Sequence, residues 1–75
     1  MSNFPVKQYQ VTFNRIHADI LRLHHRQNQI NRYLEQKLIN RKLYNDLTES
    51  LQKKIIYLNK AASAYTDLIQ EQILR

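Results

Sequence analysis

Apolar side chains in the first half of this chain recur at a helical spacing over some thirty residues, and that seam limits the folds open to it. Tyr9, Phe13, Ile16, Ile20, Leu23, Gln27, Ile30, Leu34 and Leu38 follow at steps of 4, 3, 4, 3, 4, 3, 4 and 4. Such spacing lays one stripe along an α-helix, with a single polar member, Gln27. A second stripe runs Leu47, Leu51, Ile55, Leu58, Ala62, Tyr65 and Ile69, then Gln72 or Ile73. No stretch alternates apolar with polar residues as a half-buried strand would. Leu occurs ten times, Ile eight and Gln eight, and the one proline, Pro5, stands near the start. The chain therefore reads as all-α.

The two stripes are out of phase. Leu38 and Leu47 lie nine residues apart, and nine steps of roughly 100° leave them about 180° apart around one helix. A turn removes the conflict. Asn40 and Asn45 tolerate turns, and Asp46-Leu47-Thr48-Glu49 reads as an N-cap with an acid three residues on. The expectation is an antiparallel two-helix hairpin with helix 1 at about 5–39, a turn at about 40–45 and helix 2 at about 46–74. Pairing residues whose numbers sum to 85 sets Leu38 on Leu47, Leu34 on Leu51, Ile30 on Ile55 and Gln27 on Leu58. Gln27 then packs its stem and sends its amide to water. The competing reading is a polar core position that sets register.

A 75-residue hairpin has one seam, and chains this short commonly oligomerise. Tyr57, Ala61, Ala64 and Leu68 form a second stripe on helix 2, with alanines small enough to admit another helix. They predict a homodimer, a four-helix bundle in outline. The plainer alternative is that they widen the intramolecular core.

Many function classes are excluded. With no cysteine there is no disulfide frame, thiol nucleophile or cysteine metal site. With no glycine there is no glycine-rich phosphate loop. No apolar run approaches the roughly 18 residues of a membrane span, and residues 1–15 show no apolar signal-peptide core. The expected location is thus intracellular, in the cytoplasm. His17 and His24 share a face two turns apart, about 10 Å, too far for one metal ion, and His25 points elsewhere. Asp46 and Glu49 are explained by capping, and Asp67 with Glu71 by a solvated face. The sequence predicts no enzyme, no metal and no cofactor.

Charge is the most informative remaining feature. Residues 1–45 hold eight basic residues against Asp19 and Glu35, the whole of the chain's +6, whereas residues 46–75 hold four of each sign. Arg15, Arg22, Arg26, Tyr33 and Lys37 are spaced 7, 4, 7 and 4, one row along helix 1. Arg41 and Lys42 extend it into the expected turn. Arginine forks suit phosphate oxygens, and an interleaved aromatic can pack on sugar or base. The sequence thus predicts a non-enzymatic binder of nucleic-acid backbone without sequence preference, duplex RNA above DNA. The contacts fall to Arg15, Arg22, Arg26, Tyr33, Lys37 and Arg41, doubled in a homodimer. Asp19 lies on the row and can pair with its arginines. In outline, a small basic helical hairpin that pairs with itself is similar to the viral double-stranded-RNA-binding suppressors of RNA silencing, a likeness of fold and charge that carries over no residues. The alternative is a structural coiled-coil adaptor that docks on another helical protein.

Overall fold

The computed structural model describes residues 6–74. It contains α1 (Val6–Glu35) and α2 (Arg41–Leu74), packed against each other along their length, with no strand among the described residues. The chain is an all-α hairpin. The α1 helix has 30 residues. The α2 helix is slightly longer. At the usual helical rise, each of them is on the order of 50 Å long. They fill a body of 59 × 14 × 13 Å. The expected helix start at Pro5 lies outside the described residues.

The reversal comes earlier than the sequence predicts. Residues 36–40 form the turn, and 41–46 are already helix. Two local devices hold it there. At the end of α1, Lys37 takes a left-handed φ of 61°. Its N–H donates to the Leu34 carbonyl (3.0 Å), and the Leu38 N–H donates to the Tyr33 carbonyl (2.9 Å). This pair of bonds is the Schellman closure that satisfies the last carbonyls of a helix. With no glycine in the chain, a lysine occupies the left-handed position. At the start of α2, Asn40 Oδ1 accepts from the Leu43 N–H at 2.8 Å. Asn40 is the N-cap, in place of Asp46. Asp46 and Glu49 lie inside α2, where Glu49 pairs with Lys53 at 3.2 Å. Arg41 and Lys42 sit at the positive end of the helix dipole, and the first turn of α2 carries no acid to offset it.

The register moves with the turn. Gln27 meets Thr48 rather than Leu58, Asn31 meets Tyr44, and Tyr9 meets Tyr65 edge-on at 5.9 Å between ring centroids. Relative to the expected pairing, α2 has slipped by three steps of its seam, from Leu58 past Ile55 and Leu51 to Thr48. That is about 15 Å along the axis. Both seams become regular in this register. Half-buried or buried residues step 4, 3, 4, 3, 4, 3, 4 from Tyr9 to Leu34 in α1 and again from Tyr44 to Ile69 in α2. Leu38, expected to close the core beside the turn, drops out of the seam and is 67% exposed.

Polar side chains explain the choice. Gln27 Nε2 donates to Thr48 Oγ1 and to Asn31 Oδ1, both at 3.0 Å, and the Tyr44 hydroxyl donates to Asn31 Oδ1 at 2.8 Å. The Gln27 amide therefore turns into the helix interface and not out to water. Its Oε1 is buried without a hydrogen-bond partner. Sliding α2 back to the expected register would set Gln27 against Leu58 and part Gln27 and Asn31 from Thr48 and Tyr44. On the turn-distal side of this polar layer lie two of the buried core side chains, Ile20 and Ile55; Ile30 and Leu51 border it.

Four substitutions test the turn, the cap and the polar layer by chemical denaturation. Lys37→Gly should stabilise the fold by about 1 kcal/mol, the left-handed penalty less the chain entropy of glycine. Asn40→Ala should destabilise it by about 1 kcal/mol, while Asp46→Ala leaves it within about 0.5 kcal/mol. Asn31→Ala, which removes the shared acceptor of the polar layer, should destabilise by roughly 1–3 kcal/mol.

Candidate binding face

Across an antiparallel seam, the flanks that lie in the same rotational sense from the core come to the same side. The arginine row of α1 and the Tyr57 stripe of α2 are two such flanks, and together they border one groove. Its wall on α1 is Asp19, Arg22 and Leu23. Its wall on α2 is Lys53, Lys54, Tyr57 and Leu58. The groove is open and encloses about 550 Å³. Leu23 and Leu58 belong to the seam and are half-buried, so they form the floor. Tyr57 stands beside them with 71% of its surface exposed. The cations form the rim.

The rim is partly engaged. Arg22 Nη1 pairs with Asp19 Oδ1 at 3.0 Å, the pairing that the acid on the row makes possible. Arg26 Nη1 donates to Gln29 Oε1 at 3.2 Å. Lys53 pairs with Glu49. These contacts are exposed, and surface pairs of this kind are worth about 0–1 kcal/mol, so they yield readily to another partner. Arg15 and Lys54 are exposed and make no ion pair or hydrogen bond among the described residues.

The predicted nucleic-acid residues do not form one straight row. Arg15, Arg22 and Arg26 share an exposed flank of α1, and Tyr33 follows half-buried. Lys37 sits in the left-handed turn, off the helix. Arg41 opens α2, its guanidinium carbon 5.8 Å from the Tyr44 ring centroid. A separate shallow surface on the outer side of α1 brings His25 and Arg32 beside Arg22 and Arg26. Of the predicted dimer residues, Tyr57, Ala64 and Leu68 are exposed and Ala61 is half-buried. Tyr57 therefore does not widen the intramolecular core.

Sequence reasoning missed Lys53, Lys54, Leu23 and Leu58 as neighbours of Arg22. In the expected register Arg22 faced Ser63, and only the slipped register brings the lysines abreast of it. The opposite side of the hairpin has a different character. Its groove is lined by Gln10, Phe13, Asn14, Thr66, Ile69 and Gln70, without charge. Thr66 turns its hydroxyl back on the Ala62 carbonyl of its own helix at 3.0 Å. His17 stacks on Phe13 at 6.3 Å. Among the described residues no three His, Cys, Asp or Glu side chains gather where they could hold a metal ion. No helix among them is long and apolar enough to cross a membrane.

No family model, characterised protein or solved structure matches this chain.

The division between core and face is open to measurement. Tyr57→Ala should leave the unfolding free energy within about 0.5 kcal/mol. Ile55→Ala, two residues away but buried, should lower it by about 2–4 kcal/mol.

Proposed function

We propose that this chain is a non-enzymatic assembly module, a helical hairpin that docks on a further helix through the Arg22–Tyr57 groove. One observation carries the reading: an apolar floor of Leu23 and Leu58, with Tyr57 exposed beside it, lies open along the hairpin. Two helices with a single seam bury only Ile20, Ile30, Leu51 and Ile55 among the described residues. Val11, Leu21, Leu43, Ile56, Tyr57, Leu68 and Ile73 stay substantially exposed. A third helix laid in the groove would desolvate Tyr57 and the floor, and each fully covered side chain of that size contributes about 1.5–3 kcal/mol. Helix-in-groove recognition works in this way, with apolar anchors in the groove and charges at its edge.

A second reading has its own support. Arg22 of α1 borders the same groove as Lys53 and Lys54 of α2, so cations from both helices converge there. Duplex RNA held by its backbone would use that convergence, with affinity falling by roughly one log-log unit per phosphate neutralised as salt rises. The apolar floor between the cations supplies nothing to a phosphate backbone, so this reading stands second.

A photo-cross-linking residue separates the two in the cells that make the protein. At position 57 it should couple to protein, and at position 28, on the outer side of α1, it should not. Coupling from positions 22 and 26 to RNA, with none to protein from 57, would reverse the order.

A further inference from the structure

Resting on the helix-docking reading, the rim names the partner. We infer that the groove takes an amphipathic helix of a different protein, apolar on the face it inserts and acidic along both borders. The groove walls carry three cations, Arg22, Lys53 and Lys54, against one acid, Asp19. Along α1, Arg15 and Arg26 lie exposed on either side of Arg22, beyond the groove lining. Two further acids lie outside the groove walls. Glu49 is paired with Lys53, and Glu35 belongs to the far end of α1.

The α2 wall is thus cationic, the α1 wall sets Arg22 beside its partner Asp19, and the two lie on either side of an apolar strip. A helix with Glu or Asp at its flanking positions would reach Arg22 from one border and Lys54 from the other. The Arg22–Asp19 pair is no obstacle, because Asp19 opposes one guanidinium only and Lys54 stays unpaired among the described residues.

A second copy of this chain fits the groove less well. An isologous pair centred on Tyr57 sets each rim against itself. Lys54 of each copy would then approach Lys60 of the other across a low-dielectric strip, where like charges repel most strongly. The chain's formal charge of +6 adds to that repulsion.

Two fluorescent helical peptides of about 28 residues, long enough to span the groove, test the assignment. They share one apolar heptad stripe, and their flanks are all Glu in one and all Lys in the other. Anisotropy should show the acidic peptide binding at least about tenfold more tightly, with the difference shrinking at about 0.5 M salt. Tyr57→Glu should abolish that binding, and the pair Lys53→Glu with Lys54→Glu should reverse the preference. All three positions are exposed, so each variant should keep the fold, which thermal melts would check.

Equal binding of the two peptides would overturn the acidic assignment and leave helix docking standing. A dimer at sedimentation equilibrium that Tyr57→Glu dissociates would make the occupant a second copy and overturn the assignment. Duplex RNA that displaces the acidic peptide, and still binds the Tyr57→Glu variant, would give the face to nucleic acid. Binding of neither peptide by a monomeric chain would remove both the assignment and the docking reading beneath it.

Discussion

The polar layer where Gln27, Asn31, Tyr44 and Thr48 meet is the contact on which the rest of the structure depends. A seam of this period is nearly degenerate: sliding one arm by whole seam steps sets apolar residues against apolar residues again and buries similar area. Hydrogen-bonding groups lack that tolerance. A half-buried amide or hydroxyl moved against leucine loses its partner and carries the full desolvation penalty, about 1–3 kcal/mol for each group. Two bonds across the interface, Gln27 to Thr48 at 3.0 Å and Tyr44 to Asn31 at 2.8 Å, therefore choose among registers that the apolar stripes leave open. The unbonded Gln27 Oε1 shows that the layer is imperfectly satisfied even so. Its contribution is to exclude alternatives more than to add stability.

The turn and the register are one choice. Once Asn31 meets Tyr44, only a short link remains between the arms, and the chain must reverse over residues 36–40. That segment has no glycine, so Lys37 takes the left-handed backbone conformation, in which the Cβ of an ordinary residue crowds the carbonyl that follows it. Asn40 offsets part of that strain by capping α2. Leu38 is left exposed at the hairpin end. Local preferences alone would not have selected such a turn, and the long-range layer outweighs them.

The binding face inherits the same dependence. Arg22 borders Lys53 and Lys54 because of the register, not because of anything in the α1 sequence. A different slip would place the arginine row beside other residues and divide the cationic rim. The face is also a consequence of size. A hairpin of two helices must leave one flank of each helix in solvent, and on the Arg22 side that flank includes Tyr57 and the edge of the seam. An apolar strip between charged borders is the general form of a surface awaiting another helix.

What the amino-acid order determined by itself is the local part. The 3.6-residue period made two amphipathic helices and required a reversal between them, and the basic residues on one flank of α1 were readable from their spacing alone. These features rest on interactions within a few residues of one another, which a linear pattern records. The position of the reversal, the inward turn of the Gln27 amide, the N-cap at Asn40 and the meeting of Arg22 with Lys53, Lys54 and Tyr57 were decided only when the helices packed. Each of them depends on which residues of one arm stand opposite which of the other. A repeating apolar stripe carries too little information to settle that, and the matching of a few polar groups across the interface supplied it.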